Sequence, residues 1–195
     1  MAANKIKYGI SGCYYAVATI ASDGSATYDT PVALPGAVSL SLDQEGENSV
    51  FYADNIEYFI GANNHGYSGS LELALIPDSF RKDVLGDIED VKGVLNEDAN
   101  APAIHFALIF QFEGDKEARK HVFYNCTATR PSVSGNTKNE NIEPETETID
   151  IEAKAVYNSG LNTMIVKAKS TKDTDATVYS GWESSVYQAT AAATT

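Results

Sequence analysis

From residue 104 to residue 157 apolar and polar side chains alternate almost without a break, interrupted by one turn and one long polar loop. In IHFALIFQFE, Ile104, Phe106, Leu108, Phe110 and Phe112 fall on one face, and His105, Gln111 and Glu113 on the other. After the turn GDKEAR, the run HVFYNCTAT resumes the pattern. After the loop PSVSGNTKNENIEPE, TETIDIEAKAVY sets Ile149, Ile151, Ala153, Ala155 and Tyr157 against Thr148, Asp150, Glu152 and Lys154. Successive side chains on a strand point to opposite faces, so the pattern predicts a sheet with one face on a core and the other toward water or a partner.

The rest of the chain reads as short strands and turns. CYYAVATI precedes a turn-rich stretch in which Asp23-Gly24 and Pro35-Gly36 break any regular run. AVSLSLD alternates, with Val38, Leu40 and Leu42 inward and Ser39, Ser41 and Asp43 outward. SVFYADN, IEYFIGA and LELALI continue the series on either side of the glycine-rich corner NNHGYSGS. One short helix is expected after Pro77: Asp78 can cap it, Phe80 and Val84 share a face, and Gly86 offers a stop. Gly93 and its flanking acids point to a small hairpin or loop over DIEDVKGVLNEDANAP. MIVKAKS reads as one strand, and ATVYSGWESSVYQ as another anchored by Trp182, Val186 and Tyr187. The pattern predicts a mainly β domain over residues 1–195 with one short helix, an N-terminal arm of about residues 1–10 and a C-terminal arm of about 189–195.

Composition narrows the class. A chain of 195 residues with 43% hydrophobic content and 11 tyrosines can build one sizeable core. Its 14 basic and 27 acidic residues give a formal charge of −13, which disfavours direct nucleic-acid binding and anionic membranes alike. No basic segment followed by an apolar core opens the chain, and no run approaches the length of a membrane span. Cys13 and Cys126 lie far apart without CxxC spacing, so two free thiols in a protein made in the cytoplasm are expected.

The search for chemistry is negative. His105 and His121 fall on strands that should form one hairpin, and His65 lies elsewhere. A zinc site needs three or four ligands, and no HExxH, CxxC or DxDxDG spacing supplies them. There is no GxSxG elbow and no phosphate-binding glycine loop. By strict alternation Cys126 shares the face of Val122 and Tyr124, away from His121, which makes it a core residue rather than a nucleophile. The acidic clusters at 43–47, 87–90 and 140–147 read as solvated surface, although each holds carboxylates of the kind that bind calcium. No catalytic residue, cofactor-binding residue or metal ligand is nominated.

A family resemblance does arise. YADNIEYFIGANNHGYSGSLELALIPDSFRKDVLG resembles the core of phage major tail proteins, the tail-tube subunits of siphoviruses in the phi13-type family. The order of parts carries it: a YADN tract, a glycine-rich turn, a leucine-alternating strand, then Pro-Asp-x-Phe opening a helix that ends in Leu-Gly. HFALIFQFEGD, YNCTATRPS, EPETETIDIEA and YSGWESSVY follow in the same order, so the resemblance spans roughly residues 8 to 188. It implies a tail-tube β-sandwich with one helix packed on the sheet. Such subunits form rings, usually hexameric, that stack into a tube carrying DNA into the host without binding it specifically. It also implies residence in the virion and tape-measure, tail-terminator or baseplate proteins as partners.

Within that picture the wet face Thr148, Asp150 and Glu152 becomes a candidate lumen wall. The long loops 22–35 and 130–146 become candidate contacts between rings, the second through Asn136, Lys138, Glu140, Glu143 and Glu145. Two other readings compete. A virion decoration protein or β-sandwich adhesin would present its loops to a receptor, and an acidic β-sandwich hydrolase would need a carboxylate pair that nothing singles out.

Overall fold

The computed structural model describes residues 8–46, 49–61, 64–137 and 144–191. It is mainly β, as the alternation requires. The first strand, β1 (Ile10–Ile20), receives on one edge the segment expected to be a loop: β2 (Ala26–Tyr28) and β3 (Val32–Ala33) both pair back onto it. The physical reason is apolar. Ala26 and Leu34 bury against the sheet, and the Asp23 carboxylate accepts from the Ser25 backbone N–H at 2.9 Å, turning the chain tightly enough to let them do so. Parts of 22–35 are therefore paired onto β1 rather than forming one free loop.

β4 (Ala37–Glu45), β5 (Ser49–Ala53), β6 (Ile56–Gly61) and β7 (Gly66–Leu73) follow; β4 pairs with β7, and β5 with β6 around Asp54 and Asn55. Both turn residues have positive φ, which aspartate and asparagine tolerate better than most. Helix α1 (Asp78–Asp83) comes next, with Pro77 at its cap position. Asp78 lies in the first turn and makes no side-chain cap bond, unlike the expectation, because proline already presets the entry. The hairpin expected after Gly86 is present as β8 (Ile88–Glu89) and β9 (Leu95–Asn96). The alternating block forms β10 (His105–Phe112), β11 (Lys120–Ala128) and β12 (Glu147–Lys154). Then come β13 (Val156–Asn158), β14 (Thr163–Ile165) and β15 (Lys167–Lys169).

The main sheet is antiparallel in the order β2-β1-β10-β11-β12-β7-β4, with β3 on β1 and β15 on β11. It rolls on itself. Residues 33–37 leave β1 and arrive at β7, stitched by Leu34 N–H to the Cys13 carbonyl and Ala74 N–H to the Gly36 carbonyl, each at 2.8 Å. The layers expected of a sandwich are thus opposite walls of one rolled sheet. Tyr15, Leu34, Leu71, Leu73, Phe106, Leu108, Ile149 and Ile151 fill the interior, each fully buried large side chain contributing roughly 1.5–3 kcal/mol. α1 closes one end, where Phe80 meets Tyr15 and Phe106 edge-on at 5.0 and 5.6 Å.

The C-terminal segment corrects the expectation of a tyrosine/tryptophan strand. It begins as helix α2 (Ala176–Gly181), capped by the Asp175 carboxylate accepting from the Thr177 and Val178 N–H groups. Val178 on α2, Trp182 at its C-cap and Val186 in the segment beyond together cover Ala107, Ile109, Val122 and Tyr124 on the outside of β10 and β11. The segment then runs close over Gly160, where a Cβ would collide with the Ala189 and Thr190 carbonyls. Of the arms expected at the two termini, Tyr8 and Gly9 already pair with Gly114 and Glu113.

Candidate functional site: an outward polar face

The register of β12 sets the site. Ile149, Ile151 and Ala153 are buried, so Thr148, Asp150 and Glu152 point out of the barrel and are exposed. On β7 they lie opposite Glu72, Ser70 and Ser68. On β4 those positions meet Ser39, Ser41 and Asp43. On the far side Thr127 of β11 faces Glu152. The outcome is a band of hydroxyls and carboxylates four strands wide, with Lys154 at its end in an exposed pair with Glu152 at 3.1 Å. Sequence alternation assigned Thr148, Asp150 and Glu152 to a wet face. It could not supply the neighbours, because which strands lie side by side is a matter of register.

Two features hold the strands of this band together. Gly69 lies where β4 pairs with β7, and a Cβ there would strike the Ser41 carbonyl, so only glycine permits the approach. Glu72 is held by Ser39 Oγ at 2.8 Å and Thr146 Oγ1 at 2.6 Å. The Thr146 hydroxyl first, then that of Ser39, keeps its carboxyl below the usual carboxylate range, so it stays ionised. Past the stitch at residues 33–37, the outer edge of β4 has no strand partner among the described residues.

The remaining candidates fall apart or fall inside. Phe110 opposes His121, and Phe106 opposes Cys126, so His105 and His121 sit at opposite ends of the β10–β11 pair. His105 Nδ1 pairs with Asn125 Oδ1 at 2.7 Å, and the His121 ring stacks on Phe110 at 5.2 Å. No group of His, Cys, Asp or Glu among the described residues could hold a metal ion. A bulge in β11 overturns the expected face of Cys126: it joins Phe123 in the interior, opposite Val122 and Tyr124. Burial pushes the Cys13 thiol up to about 11 and the Cys126 thiol higher still, so both stay protonated and unreactive. Of the residues proposed for the second loop, Asn136 and Glu145 are exposed, while Lys138, Glu140 and Glu143 lie outside the described residues.

Comparison with known proteins adds little. No family model matches the chain, and no curated protein matches it. Among solved structures, it is similar to a chain in the "Cryo-EM structure of the anti-feeding prophage (AFP) baseplate, 6-fold symmetrised". The TM-score is 0.46 at 8% identity, over 89% of this chain and 100% of that one. At that level of similarity the functional reading rests on the chain's own residues. No helix among the described residues is long and apolar enough to cross a membrane.

Proposed function

We propose that this chain is a structural subunit of a phage tail tube, assembling into stacked rings around a lumen through which DNA passes. The observation that carries the reading is the outward band on β11, β12, β7 and β4, built from serine, threonine, aspartate and glutamate. DNA carries about one negative charge per 1.7 Å of duplex axis, so a hydroxylated wall of the same sign lets it slide without adhering. The open edge of β4 supports the ring, since an unpaired strand edge is satisfied by a neighbouring subunit. The ordered family resemblance over residues 8 to 188 agrees, and it supplies the hexamer, the virion setting and the tape-measure and terminator or baseplate partners. In this reading the protein works as a surface and performs no catalysis.

Electron microscopy of the purified chain tests it: rings or tubes with a central hole are expected. Solid particles, or a monomer that instead binds receptor glycans, would favour a decoration protein or adhesin. Within tubes, Asp150→Lys/Glu152→Lys should slow or stall DNA ejection, and unchanged ejection kinetics would take this face out of the lumen. Deleting 132–142 should leave a folded monomer that forms no tube; a normal tube would remove that loop from the contact between rings.

A further inference from the structure

The free edge of β4 runs on past the strand that would close the roll. Neighbours in the main sheet are antiparallel throughout, so β4, five steps from β1, runs opposite to it. Their relative level is set by β3: Ala33 lies opposite Tyr14, and Leu34 N–H donates to the Cys13 carbonyl. Upstream of Cys13, β1 holds only Ile10, Ser11 and Gly12, whereas the chain continues from Leu34 through β4 as far as Glu45. Residues 41–45 therefore have no part of β1 beside them. Tyr8 and Gly9 extend the line of β1 in that direction, their carbonyls accepting from the Gly114 and Glu113 N–H groups.

This overhang is unfinished on both faces. Leu40 and Leu42 pack on the core yet are only partly buried. Asp43 and Glu45, on the opposite face, are exposed and make no ion pair among the described residues. Of the nearby lysines, Lys154 pairs with Glu152, and Lys167 lies over the ring of Tyr67, which stands opposite Gln44 on the inward face. The sequence Lys5-Ile6-Lys7 has the alternation such an edge requires, with two cations on one face and an apolar side chain on the other.

We propose that, in the unassembled subunit, residues 1–7 pair along the free edge of β4 in the same chain. Lys5 and Lys7 then face Asp43 and Glu45, and Ile6 covers Leu40 and Leu42. Connectivity selects the chain's own segment over that of another copy. Tethered at Tyr8, it meets the edge at an effective concentration on the order of millimolar, well above that of free copies. Seven extended residues reach roughly 23 Å, enough for the roughly 16 Å of residues 41–45. The segment is thus a removable guard on an edge that would otherwise pair with any extended chain. The guard stands without the tail-tube reading; its displacement by a neighbouring subunit during ring formation rests on that reading.

Hydrogen exchange of the full chain, at concentrations below those of assembly, tests the guard. Deleting residues 2–7 should make the backbone of 37–45 exchange about tenfold faster while leaving β10 and β11 unchanged, the effect of losing one or two edge hydrogen bonds. Lys5→Glu/Lys7→Glu should do the same, and so should Asp43→Lys/Glu45→Lys. The chain carrying all four changes should regain slow exchange, which also shows that the substitutions leave the fold intact. Equal exchange in the full and shortened chains would overturn the proposal. Protection of β4 that depends on protein concentration in this range would overturn it too, by placing the segment on another copy. On the tail-tube reading, the shortened chain should form rings at about tenfold lower concentration, because its edge is already free. A shortened chain that loses protection at β4 but forms no ring or tube at any concentration leaves the guard standing and overturns that reading.

Discussion

Strands β10 and β12 each set an apolar residue at every second position, yet they end in different surroundings. In β12 the alternation means what it first suggests: Ile149, Ile151 and Ala153 face the interior, and Thr148, Asp150 and Glu152 face out. In β10 both faces are buried, with Phe106, Leu108 and Phe110 inside the barrel and Ala107 and Ile109 under the C-terminal segment. Alternation shows that two faces differ, not that one of them is wet. The second-face residues decide the matter. Ala107 and Ile109 belong to a face that wants cover, whereas Asp150 and Glu152 belong to one that wants water or a like-charged passage. The dry second face serves folding, and the wet one is free for function.

The strongest way to break that contrast is to remove the cover. Trp182 is almost fully buried against β10 and β11 and stacks on Tyr187 at 5.1 Å. Trp182→Ala should cost about 3–5 kcal/mol in chemical denaturation, the usual range for truncating a buried large aromatic. A loss below about 1 kcal/mol would mean that β10 tolerates an open second face as β12 does.

High pH probes the same division. Burial raises the Cys13 thiol from 9.0 to about 11 and the Tyr15 phenol from 10.0 to about 12. Burial also raises the phenols of Tyr28 and Tyr124, which lie beneath the C-terminal segment. For each, the folded value lies above the unfolded one. The stabilisation is therefore complete below the unfolded value and lost as pH climbs toward the folded one. Urea midpoints should hold to about pH 9 and then fall, with Cys13 alone accounting for about 2 kcal/mol by pH 11. Cys13→Ala should make the early part of that decline shallower. An unchanged slope would show that the thiol meets solvent in the folded state.

A smaller effect isolates the latch that holds the cover. The Lys120 ammonium, with 10% of its side chain exposed, pairs with Glu183 at 2.6 Å, and Tyr14 donates to the same carboxylate at 3.3 Å. Glu183→Gln leaves a buried cation with only the Tyr179 carbonyl at 3.4 Å and the Tyr179 ring beside it. Because Glu183 itself is 37% exposed, solvent moderates the penalty to about 1–2 kcal/mol. Lys120→Met replaces the cation by an apolar chain of similar length and should cost less than Glu183→Gln. The reverse order would make the pair, rather than the packing beneath it, the source of adhesion.

How much of this was legible in the chain varies by region. The longer strands, the Pro77 helix and the hairpin after Gly86 follow from local pattern, because periodicity and turn residues act within a few positions. The rolling of the sheet does not, since it depends on Leu34 and Gly36 bridging strands distant in sequence. The bulge that moves Cys126 to the interior inserts one residue and leaves no compositional mark. Helix α2 did leave one: Asp175 is a cap, and apolar residues follow it at 178 and 182, one helical turn apart. Tyrosine and tryptophan content argued for a strand there, and the four-residue spacing was the better guide. For the candidate face, one strand of the band was visible, while its neighbours on β7 and β4 needed the register.

The smallest expected effect on stability is the most informative for function. Asp150→Lys/Glu152→Lys places cations on a face where Ser68, Ser70 and Thr127 are the direct cross-strand neighbours. No buried partner is lost, so the denaturation midpoint should move by no more than about 0.5 kcal/mol. On the proposed tail-tube reading, the same two substitutions should sharply change how the assembled protein treats DNA, converting a wall that repels phosphate into one that holds it. DNA retention by intact particles, measured against salt, checks this. Unchanged stability with new retention separates a functional face from a folding one, as the contrast between β12 and β10 requires. Lost stability would place β12 with β10, as a strand whose outer residues serve the fold.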